Sequence, residues 1–326
     1  MEIINRTPEV PNSIQMASIN KRIPIPINAV QNPFLLLLLA TAFWGGNIVA
    51  ARFAVGEVSP LLIVFLRWFI VASLCIFLFW KNVKRDWHLL RPQIMMLTLM
   101  AAFGFTGFNS LFYLAAHETT ALNIGIIQGA IPIFILIGSV FFLRTQSSLL
   151  QLVGILITVS GVAIITSEGS LERLLSLNFN KGDIFILLAC LFYAGYALAL
   201  RNTPPVSAIS LFTVLASVAM LTSLPLLFME VSTSGLQWPS PKGWAICLYI
   251  AIFPSFLSQI FFMKGVEAIG PSRAGVFINL VPIFGSLLCI LLLEEKLYIY
   301  HGAALFFVLA GIWISERTTN KIERPA

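Results

Sequence analysis

The sequence predicts an all-α, polytopic membrane protein: ten transmembrane helices arranged as two inverted five-helix repeats. Three observations carry that prediction. Apolar runs long enough to cross a bilayer recur along the chain, charge is scarce, and the second half rewrites the first. Hydrophobic residues make up 58% of the chain and charged residues 10%, with a mean hydropathy of +0.92. A soluble domain carries about 25% charged residues. Too little charge is present to cover a water-facing surface, so the solvent is a lipid bilayer.

Residues 1–32 are polar, contain Pro11, Pro24 and Pro26, and read as a disordered tail. No hydrophobic region follows their first charges, so they do not read as a signal peptide. From Pro33 onward ten apolar runs alternate with short polar breaks: 33–53, 60–80, 93–113, 121–143, 148–167, 182–201, 207–228, 243–263, 272–293 and 299–316. About twenty such residues span the hydrocarbon layer as a helix. Gly and Pro inside the runs are tolerated where membrane helices pack on one another. The narrowest breaks are His117–Thr120 and the stretch 144–147. Residues 317–326 close the chain as a short polar tail.

Lys and Arg set the orientation. With the N-terminus in the cytoplasm, fourteen of the 20 lie on cytoplasmic segments and five on outer ones, leaving Arg67 inside the second run. This bias places both termini in the cytoplasm, and it needs an even number of spans. The net charge of +6 is spread between the runs, which gives no basic patch for nucleic acid. Cys75, Cys190, Cys247 and Cys289 all fall in apolar runs without CxxC spacing and read as small buried hydrophobes.

The repeat is written in phrases. FWGGNIVAAR (43–52) returns as FYAGYALALR (192–201), and GIIQGAIPIF (125–134) returns as GVFINLVPIF (275–284). Asn109 is answered by Gln259 and Gly161 by Gly311 at the same offset. A five-helix unit has an odd number of crossings, so its second copy enters the bilayer from the opposite side. Inverted repeats give a protein two exchangeable conformations around a midplane site.

These phrases, with SPLLIVFLRW around Arg67 and GILITVSGVAII (154–165), resemble the EamA-type members of the drug/metabolite transporter superfamily. The resemblance covers residues 33–316, as a first EamA-like repeat over 33–167 and a second over 182–316. It implies a ten-helix transporter with a central cavity largely between helices 1, 3, 4, 6, 8 and 9. One departure is visible. Members often carry Gly-Glu after the fourth helix, where this chain has Arg144-Thr145-Gln146; the second half keeps Glu294 and Glu295.

A polar side chain in hydrocarbon is costly unless it faces protein or a wet cavity. Trp44 and Asn47 are three apart and share a helix face, as do their counterparts Tyr193 and Tyr196. Each pair joins an aromatic plane to a hydrogen-bonding group, which suits a small amphipathic solute. Asn109 with Gln259 and Gln128 with Asn279 complete the substrate-binding candidates. Pro132 and Pro282 are hinge or gate candidates, because proline frees the carbonyl four residues upstream. Arg67 lies about 10 Å inside its run. It could anchor the helix to carbonyls, snorkel, or meet a substrate carboxylate; its family position, outside the main cavity helices, favours structure. Tyr113 lies near a span end and reads as an interfacial belt residue.

No acid sits at midplane, which disfavours a proton-coupled exporter of cations and favours a neutral, zwitterionic or anionic solute. The partners expected are a small-molecule substrate and the bilayer. The best match, by resemblance, is export of an amino acid or related metabolite. The alternative is a carrier of sugar phosphates or nucleotide sugars, which would need several cavity cations. A membrane-embedded enzyme is a distant alternative: HExxH, GxSxG, metal clusters and paired intramembrane aspartates are all missing from the sequence, and no cofactor motif is present.

Overall fold

A computed structural model describes residues 32–143, 148–176, 179–233, 235–270 and 274–322, and their side chains except at 143, 173, 176 and 315–322. The expected tail 1–32, apart from Asn32, and the break 144–147 lie outside the described residues, as does the last part of the C-terminal tail.

Ten helical passages are found among the described residues. They are α1 (Pro33–Ala54), α2 (Pro60–Leu90), α3 (94–118), α4 (121–143), α5 (Leu149–Thr166), α6 (Lys181–Ala199), α7 (Ala208–Thr233), α8 (Pro241–Ile269), α9 (Val276–Leu293) and α10 (Ile299–Ile322). A short helix, Leu171–Ser176, lies between α5 and α6. The stretch Pro60–Glu118 is helical almost throughout its 59 residues, nearly three times the roughly twenty a bilayer needs. It doubles back at the tight turn Arg91–Gln93, because Arg67 on α2 bonds Asn109 and Tyr113 on α3. Several helices outrun their apolar runs: α2 continues to Leu90, α8 to Ile269 and α10 to Ile322.

Local chemistry sets the ends. Ser59 precedes α2 with Pro60 in its first turn, where a missing N–H costs nothing. Ser148 and Gln151 form a reciprocal capping box at α5. Gly270 ends α8 at φ 87°, in a conformation that Cβ-bearing residues avoid.

The outer surface is apolar. Phe77 is 85% exposed and Phe142 82% exposed, which water would penalise and lipid does not. Between helices, small residues set the approach. The α5–α10 seam is the most extensive. A Cβ on Gly161 would lie 2.9 Å from the Ala304 carbonyl, and one on Gly311 would lie 2.5 Å from the Gly154 carbonyl. The glycine pair that matches across the repeat is therefore one crossing, seen from each side.

The α2–α7 pair shows the inversion most directly. Glu230 near the end of α7 accepts from the N–H groups of Leu61 and Leu62 at 3.1 and 3.0 Å. Asp86 near the end of α2 accepts from Ser207 N and Oγ, just before α7, at 3.2 and 2.9 Å. Each helix holds the positive end of its partner's dipole with a carboxylate. The two ends of the bundle are named here the Glu57 face, which carries the α1–α2 connection, and the Asp86 face.

Candidate functional site

Both α3 and α8 are interrupted by a π-helical turn, Ala102–Gly107 in one and Ala251–Leu257 in the other. The two lie at the offset of the repeat. In α8 the cause is Pro254, which has no N–H for the ladder and displaces the turn before it. The carbonyls there find other partners. Ile250 O accepts from Ser255 Oγ at 2.5 Å, and Phe253 O accepts from Ser258 Oγ at 2.9 Å. Pro254 O accepts from the indole Nε1 of Trp44 at 2.9 Å. In α3, Gly104 and Gly107 admit α6: a Cβ on Gly104 would lie 2.4 Å from Tyr196 Cβ, and one on Gly107 would lie 2.9 Å from the Phe192 ring.

The broken elements surround a cavity of about 140 Å³. That is room for roughly ten waters or one small solute. Trp44, Asn47, Arg67, Asn109, Gln128, Pro132, Tyr193, Gln259, Asn279 and Pro282 all line it. The sequence candidates from both halves thus converge on one space. Tyr196 does not line it: its ring is buried against Gly104, Phe105 and Tyr193. The two ring centroids of Tyr193 and Tyr196 are 5.5 Å apart, so the shared helix face is real, but only Tyr193 reaches the cavity. Pro132 and Pro282 each fall in the first turn of a helical segment, after the break Gly129–Ala130 in α4 and after the tight turn Val276–Asn279 in α9.

Two readings of the sequence are corrected. Arg67, on α2, lines the cavity, so a seventh helix joins the expected six. It is 7% exposed and does not snorkel. Its Nη1 donates to Asn109 Oδ1 at 2.6 Å and to Tyr113 OH at 3.0 Å. Tyr113 is no belt residue: it is fully buried and donates onward to Asn47 Oδ1 at 3.1 Å. Asn109 Nδ2 reaches back to Phe105 O at 2.6 Å. Arg67, Asn109, Tyr113 and Asn47 form one polar network tying α1, α2 and α3 together. Trp68, stacked on Phe105 with ring centroids 4.7 Å apart, also lines the cavity and was not singled out in the sequence.

The two sides of the cavity differ. Toward the Glu57 face, α1 and α9 touch backbone to backbone: a Cβ on Gly45 would lie 2.8 Å from Gly285 N. The segment Ala121–Gln128 packs on α9, and Glu295 accepts from Ala121 N and Leu122 N, both at 2.9 Å. Toward the Asp86 face, the segment Ile131–Leu143 packs on α6 instead of on α9. Gly195, the repeat counterpart of Gly46, has open space where a Cβ would stand. Among the described residues α4 thus changes partner along its length, from α9 beside the Glu57 face to α6 toward the Asp86 face.

Comparison with known proteins agrees with this architecture. The model of the EamA-like transporter family matches residues 32–167 and again 180–316. The chain is 26% identical over 259 residues to "Uncharacterized transporter YyaM" of Bacillus subtilis (strain 168), covering 77% of this chain and 83% of that protein. It is 28% identical over 290 residues to an "Uncharacterized transporter" of Archaeoglobus fulgidus, covering 87% and 98%. A solved structure described as "Crystal structure of protein" shares the fold with a TM-score of 0.60 at 17% identity, over 90% of this chain and 99% of that one.

Proposed function

The chain belongs to the EamA-like transporter family, and from that premise we propose that it exports a small metabolite, an amino acid or a related zwitterionic or neutral solute. Export proceeds by alternating access between the two five-helix repeats, assigned to 33–167 and 182–316. Both termini lie in the cytoplasm of a cell whose cytoplasmic membrane holds the protein, as the Lys and Arg bias argues.

The observation that carries this reading is a single cavity lined by polar and aromatic side chains from both repeats. Among the described residues α4 packs on α9 beside the Glu57 face and on α6 toward the Asp86 face. With the termini in the cytoplasm, the Asp86 face is the cytoplasmic one. Exchanging the two repeats' conformations would carry the α4–α9 contact from one face to the other and expose the cavity to each side in turn. Trp44 and Tyr193 supply ring faces for apolar or cationic parts of the solute, and the amides of Asn47, Asn109, Gln128, Gln259 and Asn279 supply polar contacts. Among the described residues, Arg67 is the one charged side chain lining the cavity. A carrier of sugar phosphates or nucleotide sugars would need more.

The test is untargeted mass spectrometry of medium from cells expressing the intact chain, against the Trp44→Ala/Tyr193→Ala double variant at matched abundance. One metabolite class should accumulate outside only with the intact chain. Identical media and identical cell extracts would sink the export reading.

A further inference from the structure

Arg67 lines the cavity and leaves part of its guanidinium without a hydrogen-bond partner. Its Nη1 is occupied by Asn109 Oδ1 and Tyr113 OH, both neutral acceptors. Nε is buried without a hydrogen-bond partner. Among the described residues Nη2 makes no hydrogen bond, and no carboxylate pairs with this guanidinium. Nε and Nη2 form the edge whose two N–H groups run parallel, the geometry that grips a carboxylate with two bonds.

A buried cation without an anion is expensive. The Trp68 ring, 5.2 Å from the guanidinium carbon, offsets part of that cost. It leaves the in-plane donors unanswered, since a π-face meets the cation from above. A second orphan donor, Nε2 of Gln128, belongs to the lining of the same cavity. The feature is also one-sided. The offset that aligns Pro60 with Ala208 puts Leu215 opposite Arg67. A purely architectural arginine would be expected in both copies, whereas a solute needs only one.

We infer that the Nε–Nη2 edge of Arg67 holds a carboxylate of the transported solute. The solute class is then small monocarboxylates with an apolar or aromatic body, amino acids included. One cation matches one negative charge, which disfavours phosphate dianions. The body lies against Trp44, Phe105 and Tyr193, all of which line the cavity. This inference rests on the transporter reading above and narrows it.

The experiment uses the full-length chain in proteoliposomes. They are preloaded with the protein amino acids, 3-phenylpropanoate and benzoate, the matching amides, and uncharged nucleosides. Efflux of each is read by mass spectrometry. Acids should leave at least roughly tenfold faster than their amides, because the charged pair is lost in the amide. Arg67→Lys keeps the charge and loses the fork; it should cut acid efflux per folded molecule roughly tenfold, with a lower melting temperature because the Nη1 bonds to Asn109 and Tyr113 go with the guanidinium. If acids and amides leave alike, or only nucleosides leave, the carboxylate site is overturned and the transporter reading stands. If nothing leaves, both fall. Should Arg67→Lys fail to fold, the acid-to-amide ratio of the unaltered chain decides the matter by itself.

Discussion

The indole Nε1 of Trp44 donates to the carbonyl of Pro254, 210 residues further along the chain, at 2.9 Å. One repeat's aromatic is thereby pinned to the π-helical turn of the other. The turn exists because Pro254 breaks its own ladder, and the bond answers a carbonyl of that broken turn. π-Turns inside α-helices often mark functional sites, and this one borders the cavity.

Trp44→Phe separates the ring from its donor. The ring face remains, while the Pro254 carbonyl loses its partner. Stability should fall by about 1 kcal/mol, and efflux should fall with it if the turn's position matters to transport. Trp44→Ala should lose more of both, since the ring also packs near Phe262, with centroids 5.4 Å apart. Melting temperature and proteoliposome efflux, measured on the same preparations, check the split. Equal efflux from Trp44→Phe and the unaltered chain would mean that the bond is structural only.

Glu295 tests the α4–α9 contact beside the Glu57 face. Its two oxygens hold the first N–H groups of α4, where the helix dipole favours negative charge. Gln at this position keeps one acceptor, loses the charge and turns an N–H₂ toward an N–H. Glu295→Gln should therefore loosen α4 from α9. Cys289, on α9 and fully buried, is a native reporter. With Cys75, Cys190 and Cys247 replaced by Ala, a membrane-impermeant maleimide added from the Glu57 side should label Cys289 several-fold faster in Glu295→Gln. Unchanged labelling would show that the contact does not depend on this carboxylate.

Much of this was legible in the sequence, and the failures have a common cause. The repeat located α4, α9 and the paired glycines, because backbone contacts such as Gly161 and Gly311 are demanded equally in both copies. It also put Trp44 and Tyr193 on one cavity. Reasoning by symmetry then failed where the halves differ. Asn47 joins the polar network while its counterpart Tyr196 fills the space that Gly104 leaves. Tyr113 was misjudged from its place near a span end, because α3 continues to Glu118 and buries it. Arg67 was set aside by family position, although its partners lie 42 and 46 residues ahead, beyond any local pattern. The role of Glu295 needed the third dimension too: the residues it caps lie more than 170 positions earlier.

Gly311 separates packing from transport. A Cβ there would lie 2.2 Å from Thr158 Oγ1 and 2.5 Å from the Gly154 carbonyl, and the backbone carbonyl cannot swing aside. Gly311→Ala should destabilise the protein by about 1–3 kcal/mol, the usual cost of overpacking. Among the described residues the α5–α10 seam contributes none to the cavity lining, so efflux per folded molecule should be unchanged. Melting and efflux normalised to folded protein decide this; a loss of efflux beyond the loss of folded protein would mean that the seam moves during transport.

The α1–α2 connection gives a pH signature. Glu57 accepts a hydrogen bond from Ser240 Oγ, and Lys242 Nζ lies 3.1 Å away. The Ser240 bond first, and then Lys242, hold its carboxyl below the ordinary glutamate range. A depressed carboxyl contributes stability above the unfolded value, about 4.3. That stability is lost as pH falls through the lower folded value. The clasp should therefore be fully formed at neutral pH and weakened in acid, while the bonds from Ser240 N to Glu57 O and from Ser59 N to Gln237 O still join the two segments. Glu57→Gln should remove this contribution at neutral pH and flatten the acid side of the profile. Melting temperatures of both proteins in nanodiscs, from about pH 7 down to about pH 3, provide the measurement. The gap between the two should narrow as pH falls. A gap that stays constant would assign the stabilisation to shape, with no part played by the charge on Glu57.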